Sequence, residues 1–414
     1  MRSRSPAPFS GIRHPLIALP IALATAILLA ASLVSTPIGA TSPGYSFRVV
    51  AKLGDPAPGG GEHEGDFEPQ DINASGTVVF ASDLENQNGF AGEGVFISRR
   101  GVNSQIVREG LPAPGTSTTF GGFGILQPGG LNDAGDFAFG FSLLPSAVPL
   151  RVNTGVWRYS AATRAVTKVL APGDAAPGGT TFQGGNFHTD LNNRGEIVTA
   201  GIIDTPFGHC GTPANCSGLG RGVYKFDRRN TAIKIAAPGD PAPGVSGTFD
   251  DAWDPNINDR GDVVFGGHVA GETCVNPFGQ PLGCFESLYL YRDSTGRLSS
   301  LVHQGDVAPG GETFDIVFNG RPNNVGDVSF IGGGLDLSFG VYLYTHQGSI
   351  AIVAKPGDPL PGGERWPTPL SLRVRMASTA PATSHLLLST LRMGMATLCR
   401  IAVFISTTPA RSAR

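Results

Sequence analysis

An all-β fold, a β-propeller-like ring of four-stranded repeats, is what this sequence predicts, and three observations predict it. A Gly-Asp-x-x-Pro-Gly turn recurs at residues 54–59, 110–115 (with Leu111 in place of Asp), 173–178, 239–244, 305–310 and 357–362. The first five are each followed by Asn-x-x-Gly, beginning at Asn73, Asn132, Asn192, Asn258 and Asn323, with a spacing of about 59 to 66 residues. A fixed period of that length belongs to stacked arrays, in which each unit buries an apolar face against its neighbours. The third observation is composition: 59 Gly and 33 Pro in 414 residues, with 15% charged side chains, describe a turn-rich chain. A net charge of −3 gives no electrostatic footprint for nucleic acid or an anionic membrane, and both are discarded as partners.

Residues 1–40 read as a signal peptide. Arg2, Arg4 and Arg13 precede an apolar run over 16–34, and small residues end at Gly39-Ala40. A retained anchor is the alternative, because the run approaches the length that spans a bilayer. Either reading places the repeats, residues 41–365, outside the cytoplasm, secreted or at the cell surface.

Within each unit, Asn-x-x-Gly joins two β-like runs as a hairpin turn, since Asn tolerates left-handed dihedrals and Gly takes positive φ freely. The second run ends in an aromatic residue at Phe80, Phe139, Phe265 and Phe330, and repeat three departs with Glu196-Ile197-Val198-Thr199. A third strand carries Gly-Val-aromatic at 94–96, 155–157, 222–224 and 340–342, with Leu288-Tyr289-Leu290 in repeat four. A fourth, such as 232–236 or 350–354, leads into the next Pro-Gly turn. Four short strands in about 60 residues make a propeller blade rather than the shorter coil of a β-solenoid. Residues 47–52 match the fourth strand of a unit whose first three strands are absent at the N-terminus, so in a closed ring those three come from the C-terminus.

The C-terminus breaks the pattern. From Trp366 onward no Asn-x-x-Gly and no Gly-Val-Tyr is present. Back-translated and read from the third base of each codon, however, Met376-Ala377 must give Gly. The following codons then permit Gly-Ile-Asn-Gly-Ala-Gly-Asp-Ile-Ala-Phe through His385-Leu386. Met393-Gly394 and Met395-Ala396 also force Gly, and Phe404-Ile405 forces Tyr or His after codons that allow Gly-Val. The expectation is six intended units: five intact, and a sixth damaged by a single-base frameshift near Trp366 that leaves residues 366–414 as a disordered tail.

Five cysteines fit an oxidising address. Cys210 with Cys216, and Cys274 with Cys284, fall within corresponding loops of repeats three and four, where local disulfides are expected; Cys399 is left over. His209 beside Cys210 makes a poor zinc site. Asp254, Asn256, Asn258 and Asp262 have an oxygen-rich spacing like that of calcium loops, without the order of an EF-hand, and stand as weak candidates for structural calcium. His63, His188, His209, His268 and His303 fall at different points of their units with no metal-ligand spacing. Glu62, His63, Glu64 and Asp66 read as a solvated turn.

Residues 48–363 resemble the secreted bacterial choice-of-anchor tandem repeat proteins, whose repeats are Asn-x-x-Gly-x-x-x-Phe. The resemblance implies export and a tandem β-repeat body, often attached to the surface, and carries over no activity and no catalytic or cofactor-binding residue. No Gly-x-Ser-x-Gly elbow, Walker loop or zincin helix is present. The functional expectation is a monomeric, non-enzymatic binding or scaffold module for an extracellular glycan or protein. The alternative is a propeller hydrolase or lyase with a dispersed site in the central channel, since propellers host both.

Overall fold

The computed structural model describes residues 48–121, 129–144, 153–206, 218–271, 287–334, 338–359, 365, 372–377 and 385–390. Every described element is a β-strand, and the strands follow the repeat. Blade 1 holds β1 (Glu62–Ile72), β2 (Val78–Asn86), β3 (Gly89–Arg99) and β4 (Val102–Arg108). Blade 2 holds β5 (Gly130–Leu131), β6 (Phe137–Ser142), β7 (Thr154–Tyr159) and β8 (Val166–Leu170). In blade 3, β9 (Ala175–Ala176) flanks β10 (Thr180–Leu191), β11 (Ile197–Asp204), β12 (Leu219–Phe226) and β13 (Ala232–Ala236). Blade 4 comprises β14 (Phe249–Ile257), β15 (Val263–Val269), β16 (Ser287–Arg292) and β17 (Arg297–Val302). Blade 5 comprises β18 (Ile316–Pro322), β19 (Val328–Gly333), β20 (Phe339–Tyr344) and β21 (Ile350–Ala354). Each is an antiparallel meander in chain order. The first strands of consecutive blades are neighbours, as β1 with β5, β10 with β5 and with β14, and β14 with β18. These are the inner strands of a propeller-like stack.

Apolar side chains fill the spaces between blades. One core joins blades 1 and 2, a second blades 2 and 3, a third blades 3 and 4, and a fourth blades 4 and 5. Phe80, Phe139, Phe265 and Phe330 are buried as the repeat predicts, and so are Val95, Val156, Val223 and Val341. Because side chains alternate across a strand, the two sets face opposite ways. Phe265 of blade 4 thus meets Val223 of blade 3 in one core.

Each Gly-Asp turn folds an aromatic side chain into its blade. In blade 4, Gly239 N donates to the Phe249 carbonyl at 2.7 Å, Phe249 N donates back to that of Asp240 at 2.9 Å, and the Asp240 carboxylate takes the Ala237 N–H at 2.8 Å. The ring then meets the Gly-Val-aromatic residue edge-on: Phe120 on Trp157, Phe182 on Tyr224, Phe249 on Tyr289 and Phe314 on Tyr342, with centroids 4.8 to 4.9 Å apart. In blade 1 this place belongs to His63, which meets Phe96 edge-on at 4.8 Å and is almost fully buried. Glu62 and Glu64 beside it are exposed, as the solvated turn expected for that cluster requires, and His63 departs from it.

The turn asparagines differ from expectation too. Positive φ belongs to the glycines, 74° at Gly76 and 87° at Gly261 for example, and the asparagines do not share it. Asn instead supplies hydrogen bonds: Asn258 Oδ1 accepts from the N–H groups of Arg260 and Asp262 at 3.0 and 2.9 Å. The Nδ2 groups then tie blade to blade. Asn73 donates to the Asn132 carbonyl at 3.0 Å, Asn132 to Asn192 at 3.5 Å, Asn192 to Asn258 at 2.9 Å and Asn258 to Asn323 at 2.8 Å. A second rail runs beside it, in which the N–H of each following residue meets the next blade's side-chain carbonyl or carboxylate, as Asp133 N on Asn193 Oδ1 at 2.7 Å.

Residues 48–52 form no strand, where a fourth strand was expected. In the tail, β22 (Leu372–Ala377) and β23 (His385–Thr390) pair with each other and join no blade sheet.

Candidate functional site

The ladder repeats; the inner strands just before it do not. Two residues ahead of each ladder asparagine stand Asp71, Gly130, Asp190, Asn256 and Arg321. Their charges act on one another across the stack. The Asp71 carboxyl, of blade 1, is pushed up to about 6, first by burial and then by Asp190 of blade 3, while Arg321 of blade 5 pulls it back down. Blades 1, 3 and 5 are not neighbours in the stack, so this mutual influence means that the inner strands converge on a common axis. His188 of blade 3 feels the same set: burial lowers it, Asp254 and Asp190 raise it, and Arg321 lowers it.

Some of these groups also brace the stack. Asp71 Oδ2 accepts the Leu131 N–H at 2.9 Å, and Asp190 Oδ2 accepts that of Ile257 at 2.9 Å. Asn256 Nδ2 donates to the Gly320 carbonyl at 2.9 Å, and its Oδ1 lies 3.3 Å from His188 Nε2. Gln70 Oε1 takes the Gly129 N–H at 3.2 Å. Gly130 is required here, since a Cβ would lie 2.2 Å from Leu191 N and 2.6 Å from Asp190 Oδ1.

Two residues carry unusual backbone. Asp254 and Asn319, both four positions before a ladder asparagine, have φ of 48° and 55° within strands β14 and β18. The other non-glycine residues with positive φ, Arg100, Arg164 and Asn230, sit in tight turns between third and fourth strands. At both inner-strand positions the ladder register slips, between Trp253 and Asn256 and between Phe318 and Arg321. A β-bulge redirects a side chain, and a left-handed non-glycine residue inside a strand costs about 1–3 kcal/mol. Asn319 is exposed and Asp254 partly so; among the described residues the one ion-pair partner of the Asp254 carboxylate is His188 Nδ1, at 3.9 Å. The axial set is therefore Asp71, His188, Asp190, Asp254, Asn256 and Arg321, with Asn319 at the offset of Asp254 on the next inner strand, and the six offer carboxylates, an imidazole, an amide and a guanidinium.

The four calcium candidates divide between two places. Asp254 and Asn256 belong to the axial set. Asn258 and Asp262 belong to the ladder turn, where Asp262 Oδ2 accepts from Arg260 at 2.8 Å and its Oδ1 from the Asp293 N–H at 3.1 Å. Among the described residues no group of three or more His, Cys, Asp or Glu side chains is placed to hold a metal ion. His268 Nδ1 lies 2.5 Å from Asp250 Oδ1 and both are buried; beside them the Arg221 guanidinium is clamped by Asp251 and stacks over Trp253 at 5.2 Å. Cys210, Cys216, Cys274, Cys284, Cys399 and His209 lie outside the described residues. The loops holding the first four of these cysteines join β11 to β12 and β15 to β16, and the first is closed at its base by Thr205 N on the Gly218 carbonyl at 2.9 Å.

Sequence reasoning singled out Asp254 and Asn256, set His188 aside, and missed Asp71, Asp190, Asn319 and Arg321. Their signal was positional: at a fixed offset from a repeated motif, the five blades carry Asp, Gly, Asp, Asn and Arg, so the repeat is not kept there.

Comparison with known proteins adds little chemistry. A family of unknown function, DUF7453, matches residues 226–386. No curated protein matches in sequence. Among solved structures, Pyrococcus horikoshii acylaminoacyl peptidase is similar at 12% identity and a TM-score of 0.40, over 78% of this chain and 43% of that one. This chain thus spans less than half the length of that peptidase. The β-propeller domain of the Trilobed protease from Pyrococcus furiosus is similar at 12% identity and a TM-score of 0.35, over 78% and 92%. A gluconolactonase from Xanthomonas campestris follows at 11% and 0.37, over 84% and 96%. Likeness at these scores carries no conclusion about activity.

Proposed function

We propose that this protein is an exported, non-enzymatic binding module that takes a hydroxyl-rich extracellular ligand, a glycan, on the axial side chains. One observation carries the reading: two residues before the ladder asparagines the repeat is not kept, and four of those five inner-strand positions carry polar side chains. Asp71 and Asp190 each accept a cross-blade N–H and keep lone pairs to spare, Arg321 donates, and amides do both; such mixed sets recognise hydroxyl groups. Export rests on the N-terminal pattern and on the cysteines falling two to a loop in the sequence, and among the described residues no helix is long and apolar enough to cross a membrane.

A glycan array screened with the full chain, alongside Asp254→Gly and Arg321→Gln, tests the site. Asp254→Gly removes the carboxylate and suits a φ of 48°, so its Tm stays level or rises while glycan binding falls at least about tenfold, the loss of one good polar contact. Binding that survives both substitutions, or an array with no hit, overturns the reading.

A hydrolase or lyase in the same channel is the second reading. It is favoured by Asp71, half-protonated near pH 6, and by neutral His188 beside Asp254, the acid and base such chemistry requires. Shortened or unsaturated products from a bound glycan, detected by mass, would select it.

A further inference from the structure

The stack ends differently on its two sides, and both ends fit the same absent neighbour. At blade 5 the ladder stops: Asn323 is exposed, unlike its four buried counterparts, and its Nδ2 keeps the bond within its own turn, to Asp327 Oδ2 at 3.2 Å, which Asn192 and Asn258 also make in addition to their links to the next blade. At blade 1, Phe80, Leu84 and Phe96 form a small core of their own, covered in part by Val50 and Ala51. Asn103 Nδ2 holds the Val50 carbonyl at 2.8 Å, much as Asn230 Nδ2 of blade 3 holds the Lys168 carbonyl at 2.9 Å on β8, the outer strand of blade 2. Residues 48–52 therefore lie where the outer strand of a blade preceding blade 1 belongs.

The repeat also continues past blade 5. The Asp358 carboxylate takes the Lys355 N–H at 2.8 Å, and Pro359 bridges Arg365, matching Pro56 with Glu62, Pro112 with Thr119 and Pro241 with Thr248. The sixth turn thus opens like the others at Asp358 and Pro359, and Pro359 meets Arg365, one residue before the sequence pattern fails.

We infer that the flank between blade 5 and residues 48–52 is built to seat a sixth four-stranded blade, with three strands encoded in the other reading frame downstream of Trp366 and residues 48–52 as the fourth. That frame permits an aromatic seven residues after an Asn, the spacing of Asn73 to Phe80, Asn132 to Phe139, Asn258 to Phe265 and Asn323 to Phe330. The glycine forced by Met376-Ala377 stands two before that Asn, as Gly130 stands before Asn132. A sixth blade would extend the ladder from Asn323 and cover the Phe80 face while placing no side chain at the varied axial offset. Closure of this kind removes the exposed flanks of an open stack.

The full chain is compared with a chain shifted by one base after the Trp366 codon, and with one stopped after Arg365. The shifted chain gains at least about 5 °C in Tm and resists limited proteolysis to its C-terminus, while stopping at Arg365 leaves Tm unchanged. Asn323→Ala separates a seated blade from a merely tidier tail: it lowers Tm clearly more in the shifted chain, where Asn323 has a neighbouring carbonyl, than in the full chain, where it loses only the bonds within its own turn. Equal Tm in the full and shifted chains, equal effects of Asn323→Ala, or a loss of Tm on stopping at Arg365 would each overturn the inference. The last result would assign the flank to the present-frame tail, part of which lies within the DUF7453 match to residue 386. The stopped chain keeps the test decisive even if the shifted chain fails to fold.

Discussion

The ladder turns and the inner strands beside them lie two to four residues apart in sequence and follow opposite rules. In the turns, five asparagines and five glycines recur because each blade must present the same carbonyl and the same donor to the next, and four of the five asparagines reach the neighbouring carbonyl within 3.5 Å. Two residues earlier, Asp, Gly, Asp, Asn and Arg follow one another, and four of the five bring a polar side chain to the axis. Within a repeat protein, sameness reports what stacks the units, and difference at a fixed offset reports where chemistry gathers.

The largest expected effect lies behind both regions. Phe265, fully buried between blades 3 and 4, stacks on Tyr289 with ring centroids 5.7 Å apart. Phe265→Ala should cost about 3–5 kcal/mol by chemical denaturation, the range for an emptied aromatic site. A cost under about 1 kcal/mol would show that the cores between blades do not hold the stack.

Within the ladder the contrast can be measured directly. Asn258→Ala, at a buried residue, abandons two N–H groups in its own turn and releases the Asn323 carbonyl, and should cost about 2–4 kcal/mol. Asn323→Ala, at the exposed end, should cost less than half of that. Equal costs would mean that the asparagines act only within their own turns and that the links between blades contribute nothing.

The smallest effect concerns the one blade whose aromatic latch is a histidine. His63 Nδ1 lies 2.6 Å from Ser82 Oγ, its Nε2 is buried without a partner, and burial is the main cause of its lowered pKa. The unfolded chain takes up the proton near pH 6.5 and the folded chain only at lower pH, so His63 contributes stability above pH 6.5 that is lost as pH falls. His63→Phe, copying the other four blades, should leave the Tm at pH 7.5 within about 2 °C and flatten its decline between pH 6.5 and 5. An unchanged acid decline would place the sensitivity in another buried histidine such as His188, whose pKa burial also lowers; Asp71 acts in the opposite sense, because its raised pKa contributes stability that is lost as pH rises through about 6.

Much of this molecule was legible as text. The period gave the blades, the aromatic spacing gave Phe80, Phe139, Phe265 and Phe330 their place in the cores, and Gly in the turns followed from the positive φ that only glycine adopts without strain. His63 was misread because its neighbours Glu62 and Glu64 are charged. A latch position is defined by its offset from the Gly-Asp turn, nine residues from Gly54 as Phe182 is from Gly173, and not by the polarity around it. Residues 48–52 have the composition of a strand but no edge with which to pair, and β-structure exists only where a partner supplies the other half of the ladder.

By itself, then, the sequence determined the local and the repeated: turn geometry, strand alternation, and which faces are apolar. These depend on residues within a few positions of one another, and the repeat states them five times. Only the tertiary structure decided which polar residues meet. Asp71 and Arg321 stand 250 positions apart, and nothing in either segment specifies the other. They influence each other because four cores between blades and one ladder of amides curve the inner strands onto a single axis.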